Sequence, residues 1–370
     1  MNEIAVGIVI IIFLFGWLLT GIELAFGMTI VGFIGFAYLV SFPAAMNLLA
    51  KDFYDTVTSF GLTVIPLFVL MGQIAFNTGM ATRLYRTAHK FMGHIPGGLA
   101  VATIVGAALF KAICGSSSAT TATFASVSVP EMERYGYNRR LSTGSVAIVG
   151  TLGVLIPPSV IIIVFGIVTQ QSITRLFLAA LVPALMLAIL YVGVIIVWCK
   201  INPSLGPVAE KASLKERIGS VPDALWPGVV FVVMVGGLML GVFTPTEAGS
   251  VGTLGVLFLC LMKRDLTFKT FIGSIRESLR VACMVIMLIV GSTILGHCLT
   301  VTTLPSMAAN WVVNLAIHRA LIMVTILVIY QIGGSFIDDL AFMILATPIF
   351  YPAIIKLGYD PLWIGVIICV

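Results

Sequence analysis

The sequence predicts an all-α polytopic membrane protein, and three observations carry that prediction. Of its 370 residues, 60% are hydrophobic and only 9% are charged, against about 25% charged in a soluble domain. Mean hydropathy is +1.15. The apolar runs are long and continuous, where the strands of a membrane barrel would alternate in polarity over about ten residues. The six cysteines are scattered through apolar surroundings without a CxxC pair, so they read as packing residues. No histidine lies at a metal-ligand spacing, and HExxH is absent. The N-terminus is apolar from Ile4, with neither a basic region nor a small-residue cleavage site, and reads as a retained span.

In chain order, residues 4–20 form a first span and 28–46 a second, joined by a tight connection around Glu23. A short loop at 51–55 leads to a third span at 57–80. Residues 83–94 are basic and amphipathic, the pattern of a helix lying at the membrane interface. Residues 97–134 form a hairpin and 141–170 a helix broken at Pro157-Pro158. A span at 176–198 precedes the longest polar segment, 200–223, which reads as a linker. Spans follow at 224–242 and 247–262. Residues 263–280 are basic, 281–300 span again, and 320–357 make a second hairpin. An apolar run from Pro361 reaches the last residue, Val370. Capping and helix dipoles account for Glu23 and Glu247, each at the start of a helix.

The basic residues set the topology. Segments 83–94, 131–140, 200–223 and 263–280 hold three, three, four and five of them, or 15 of the 20. The positive-inside rule puts all four in the cytoplasm and the N-terminus outside. Residues 97–130 then enter and leave on one side. Each arm is about as long as the shortest possible span, about 17 residues, and the polar Gly115-Ser-Ser-Ser lies between them, so a re-entrant hairpin is favoured over two crossings.

The chain also repeats. Glu131 to Asn138 after Pro130 matches Ala353 to Asp360 after Pro352, at an offset of 222 that places Ser116 on Asp338 and Ser117 on Asp339. This divides the chain into a first repeat at 1–199, the linker, and a second repeat at 224–370 of opposite orientation. Inverted repeats with discontinuous polar segments are the architecture of secondary transporters with a midplane site.

Each hairpin tip presents two helix ends. Carbonyls at the end of the incoming helix, near 113–115, suit a small hard cation such as sodium. N–H groups at the start of the outgoing helix, near 117–121, suit an anion. Ser116, Ser117, Ser118 and Thr120 add caps or hydroxyl ligands. At Thr151-Leu-Gly153-Val-Leu-Ile-Pro157-Pro158-Ser159, two prolines without N–H groups free carbonyls one turn earlier. In the second tip, an aspartate inside the bilayer costs about 2.5–3.5 kcal/mol on insertion scales, so Asp338 and Asp339 together demand a cation, a proton or water. Helix capping accounts for one of them, with Asp339 the expected cap.

Gly115-Ser-Ser-Ser-Ala-Thr-Thr-Ala-Thr, Pro130-Glu-Met, Gly136-Tyr137 and Leu152-Gly-Val-Leu-Ile-Pro-Pro-Ser159 closely resemble the large membrane subunit of TRAP transporters, the DctM-like component of tripartite ATP-independent periplasmic transporters. Gly334-Ser-Phe-Ile-Asp338-Asp339-Leu-Ala and Gly358-Tyr-Asp-Pro361 resemble the family's second-half motif. The resemblance implies an elevator-type, sodium-coupled importer of organic acids or sulfonates in a bacterial or archaeal inner membrane. It also implies two partners, a small four-helix membrane subunit and a periplasmic solute-binding protein. By motif, Gly115, Ser116, Ser117, Thr151 and Gly153 are expected at one sodium site, and Gly334 and Asp338 at another. Ser117, Ser118, Thr120, Pro157, Ser159 and Asp339 are expected to face substrate between the tips. The family motif has one aspartate, matched by Asp338; Asp339 stands where the family varies.

Competing readings are a stand-alone sodium/anion transporter without a binding protein and, more distantly, an intramembrane serine hydrolase. The latter would need a base beside Ser116–Ser118, where the only basic residue is Lys111. The proline break projects at the same offset beyond Val370, so the subunit is expected to run roughly 50 residues further, with its second cation site completed there.

Overall fold

The structure, a computed structural model, describes residues 3–314 and 317–369. All regular structure among these residues is helical. The chain begins with α1 (Glu3–Leu18) and α2 (Leu24–Leu39). Ser41 then accepts a hydrogen bond from the Ala44 N–H, and Pro43 sits in the first turn of α3 (Phe42–Val57). This overturns two expectations. The second span ends at Leu39 rather than 46, and Lys51 to Asp55 is helix, not loop. The Ser-Phe-Pro start restarts a helix that the charged residues alone do not reveal.

A 3₁₀ turn at Phe60–Thr63 leads into α4 (Val64–Asn77) and α5 (Met80–Met92), the expected basic amphipathic helix. Helices α6 (Gly98–Lys111) and α7 (Ser117–Arg134) are the arms of the first hairpin. At 1.5 Å per residue the 14 residues of α6 extend about 21 Å, short of the roughly 30 Å hydrocarbon core. The broken segment comprises α8 (Arg139–Ala147), α9 (Val149–Leu155) and α10 (Val160–Val168), with Pro157-Pro158, a cis peptide, between the last two.

Helix α11 (Ile173–Ile201) is followed by α12 (Leu214–Met239), which a Ser213–Glu216 capping box starts inside the expected linker. Only about half of 200–223 is therefore irregular. A second capping box, Thr244 with Glu247, opens α13 (Pro245–Met262). Glu23, by contrast, makes no side-chain cap. Helix α14 (Phe268–Val301) merges the expected basic segment and span into one helix of 34 residues. Helix α15 (Leu304–Asn314) lies where the sequence offered no element. Helices α16 (Arg319–Phe336) and α17 (Asp339–Lys356) form the second hairpin, and α18 (Pro361–Ile368) follows. The expectation attached to the chain's end falls at Val370, outside the described residues.

The offset of 222 reappears in the helices themselves. Helices α7 and α17 are both 18 residues long, carry an internal proline at Pro130 and Pro352, and are N-capped by Ser116 and Asp338. Each is followed by a glycine of positive φ, Gly136 at 74° and Gly358 at 81°. Asn138 and Asp360 cap the next helix in each case. Eight helical stretches among the described residues are long and apolar enough to cross a membrane.

The chain forms two compact units. The first comprises Met1–Thr63, Val164–Gln171 and Arg280–Cys369, and the second mainly Val64–Ile163 and Ser172–Leu279. In the first, α2 meets the later part of α14 with almost no side chain between them. A methyl group at Gly291 would lie 2.6 Å from the Ala25 carbonyl oxygen, and one at Gly32 would lie 2.9 Å from Leu295 Cα. Small residues permit such approach in helices that lipid does not press together. Within this unit the buried Ser292 Oγ donates to the Ile344 carbonyl at 3.0 Å, and Gln171 Nε2 donates to Tyr351 Oη at 3.3 Å.

In the second unit, α5 packs on α6, and Thr87 Oγ1 donates to the Ser220 carbonyl of α12 at 3.1 Å. Thr253 Oγ1 donates to the Leu67 carbonyl at 2.9 Å, joining α13 to α4. Arg83 pairs with Asp265 at 2.7 Å, and Lys263 pairs with Asp223. The buried Tyr137 hydroxyl accepts the Leu99 N–H at 3.1 Å and so fixes the start of α6. Burial pushes this phenol up to about 12.

Candidate functional site

The first tip lies wholly within the second unit. Ser116 Oγ accepts the Ala119 N–H at 3.3 Å, which starts α7 at Ser117. Helix α6 has ended at Lys111, and the chain between is held by short-range bonds from Ala112, Ile113 and Cys114 to carbonyls at or before Phe110. Among the described residues, no hydrogen bond reaches the carbonyls of Lys111, Ala112, Ile113, Cys114 or Gly115. The break after α9 has the same property. Pro157 and Pro158 cannot donate to the carbonyls of Gly153 and Val154, and no other donor among the described residues does.

The two segments that carry these carbonyls come together. A methyl group at Gly115 would lie 3.5 Å from the Pro158 carbonyl oxygen and 3.3 Å from Val160 Cγ2. One at Gly153 would lie 2.9 Å from Lys111 Cε, 3.1 Å from Lys111 Nζ and 3.1 Å from Ser117 Oγ. Gly115, Ser117, Gly153 and Pro158 therefore share one place. A side chain at Gly153 would require the end of the Lys111 side chain to shift.

The remaining residues expected in this region are placed less uniformly. Ser118 is exposed, with its Oγ 3.3 Å from Ser116 Oγ. Thr120 is buried and donates back to the Ser116 carbonyl at 2.8 Å, so its hydroxyl supports the turn. The Thr151 hydroxyl is engaged by the Ile148 carbonyl and by Tyr191 Oη of α11, each at 2.8 Å. Pro157 and Ser159 are buried at the break.

Sequence reasoning missed Lys111 as a member of this group. It is fully buried, and its Nζ donates to Ser117 Oγ at 3.3 Å. The available signal was that it is the only charge between Leu99 and Pro130.

The second tip belongs to the first unit and is tighter. Gly334 lies in the last turn of α16, and only Ile337 and Asp338 separate this helix from α17. Asp338, not Asp339, is the cap: its Oδ1 accepts the N–H groups of Leu340 at 3.1 Å and Ala341 at 3.3 Å. The capping assignment made from sequence is thus reversed. Asp339 opens α17, with its Oδ1 3.5 Å from where a Cβ on Gly334 would lie. Among the described residues, the carbonyls of Gly334, Ser335, Phe336 and Ile337 receive no hydrogen bond. One carboxylate not spent on capping beside free carbonyls is a donor set suited to a small cation.

The same unit contains a cavity of about 700 Å³ whose lining mixes apolar residues with Asp52, Asp55, Ser292, Thr293, His297 and Lys356. Its best-defined contact joins His297 Nδ1 to the buried Asp52 Oδ2 at 2.8 Å. His297→Ala leaves Asp52 without that partner. We expect a loss of about 1–3 kcal/mol, toward the lower end because the histidine is half-exposed. Chemical denaturation of the purified single variants and the Asp52→Asn/His297→Ala double variant checks this, and the double should lose less than the sum of the singles.

Residues 11–370 match the model of a family described as "Tripartite ATP-independent periplasmic transporter, DctM component". The C4-dicarboxylate TRAP transporter large permease protein DctM of Pseudomonas aeruginosa is 33% identical over 329 residues, covering 89% of this chain and 77% of that protein. The isethionate TRAP transporter permease protein DctMQ of Oleidesulfovibrio alaskensis is 32% identical over 366 residues, 96% of this chain and 56% of that longer protein. The sialic acid TRAP transporter large permease protein SiaM of Vibrio cholerae is 29% identical over 358 residues, 95% of this chain and 82% of that protein. All three are named as transport permeases, not enzymes. The match spans both hairpins and the broken helix, and the chain belongs to the DctM-component family of tripartite ATP-independent periplasmic transporters.

Proposed function

We propose that this subunit imports a small organic anion, a carboxylate or sulfonate, across the bacterial inner membrane as a sodium symporter. Its N-terminus faces outward, and it works by alternating access of an elevator type. The observation that carries the coupling ion is the donor chemistry of the tips. At the second tip, carbonyls that receive no hydrogen bond among the described residues lie beside the Asp339 carboxylate. Hard oxygen donors at helix C-termini suit sodium, and neither tip includes a histidine that would relay protons. The cargo class follows from the names of the relatives: C4-dicarboxylate, isethionate and sialic acid are all organic anions. The N–H groups opening α7 and the hydroxyls of Ser117 and Ser118 supply the complementary donors. The tripartite family description supports two partners, which we assign as a small membrane subunit and a periplasmic solute-binding protein.

The test is uptake into proteoliposomes holding the subunit with its membrane partner, supplied with the binding protein and candidate acids. Uptake should vanish when external sodium is replaced by choline or potassium. Equal uptake driven by a proton gradient alone refutes sodium coupling. Undiminished uptake without the binding protein supports the stand-alone transporter instead.

A further inference from the structure

Lys111 is an unusual residue to find at a cation site. It is the last residue of α6, none of its surface is exposed, and it lies within the first hairpin. A charged side chain inside a membrane segment is costly and persists where it has a function. Its ammonium has three N–H donors, of which the contact with Ser117 Oγ at 3.3 Å accounts for one. Among the described residues it forms no ion pair with a carboxylate.

What surrounds it is negative in another way. Among the described residues, the carbonyls from Lys111 to Gly115 receive no hydrogen bond, and neither do those of Gly153 and Val154. Two helix C-termini, each carrying partial negative charge, therefore end beside this ammonium. Gly153, in the last turn of α9, leaves just the room that Lys111 Cε and Nζ fill. The unbonded carbonyls belong to the same two helix ends, and a second positive charge a few ångströms from an ammonium is strongly disfavoured.

We propose that the Lys111 ammonium is a tethered cation at the first tip, standing where a coupling sodium would otherwise bind, so that sodium enters this transporter's cycle only at the second tip. The proposal rests on the sodium-symport reading and deepens it. Lys111 acts here as a positioning residue: its charge holds the turn between α6 and α7 against the break after α9, and Ser117 remains oriented by its N–H.

Sodium-dependent uptake by the reconstituted full complex tests it. A Hill coefficient rises at most to the number of sites, so the wild-type value should be about 1, and Lys111→Ala and Lys111→Ser, which vacate the place, should raise it toward about 2. Lys111→Arg should keep the wild-type value. An unchanged coefficient in both small variants, with half-saturation by the organic acid raised instead, would show that Lys111 binds the cargo's acidic group and would overturn the proposal. Wild-type uptake indifferent to sodium would instead reject the symport reading itself. If the small variants do not transport, thermal unfolding of the purified complexes decides the matter. Sodium at constant ionic strength should stabilise Lys111→Ala more than the wild type, and equal stabilisation rejects the tethered cation.

Discussion

Replacing Gly153 with valine should cut uptake by about fivefold or more, whereas Gly144→Ala, in the same broken segment, should leave it unchanged. Nothing lies within 4 Å of a methyl group placed at Gly144. At Gly153 the first added carbon already comes within 2.9 Å of Lys111 Cε and 3.1 Å of Ser117 Oγ. Lys111 cannot swing into solvent to make room, because it is fully buried. Overpacking of this kind costs about 1–3 kcal/mol. Spent on the geometry of the tip, that is roughly five- to hundredfold in rate, at about 1.4 kcal/mol per factor of ten. Uptake rates of the two variants, normalised to the amount of complex assembled, check the expectation. Wild-type rates in Gly153→Val would mean that the tip and the break do not have to meet.

The two glycines also mark where sequence reading stopped. The hairpins were legible because small polar residues interrupted apolar runs, and because Pro130 to Gly136 recurs at Pro352 to Gly358. The offset even pairs Ser116 with Asp338, and both turned out to be N-caps. The choice between Asp338 and Asp339 as cap was not legible, since it depends on which residue leaves helical φ/ψ, and neighbouring aspartates are equal candidates by composition. Helix α3 was missed for a different reason. Lys51, Asp52 and Asp55 look like a loop in an apolar chain, yet Asp52 is buried against His297, which is 245 residues away. Lys111 was visible as a lone charge, but its partner at Gly153 depends on a close helix approach that no local pattern encodes. Contacts of this kind arise from packing, and packing was the information missing from the sequence.

Exchanging the two aspartates of the second tip for asparagine should separate capping from ion binding, with the larger effect at Asp339. The Asp338 carboxylate accepts two backbone N–H groups at the start of α17. Asparagine caps about as well as aspartate, so Asp338→Asn should change uptake and sodium dependence less than about twofold. Asp338→Ala removes the cap at a cost of about 1 kcal/mol and should lower thermal stability. Asp339 makes no capping bond; its Oδ1 faces Gly334, in a turn whose carbonyls receive no hydrogen bond among the described residues. Its carboxylate is the one at this tip that no backbone N–H engages. Asp339→Asn keeps the shape and removes that charge, so the sodium concentration for half-maximal uptake should rise by about tenfold or more, equivalent to ~1.4 kcal/mol of lost binding. Measuring uptake against sodium concentration in both variants settles the assignment. A large shift in Asp338→Asn with none in Asp339→Asn would return the ion to Asp338, the aspartate that matches the family motif.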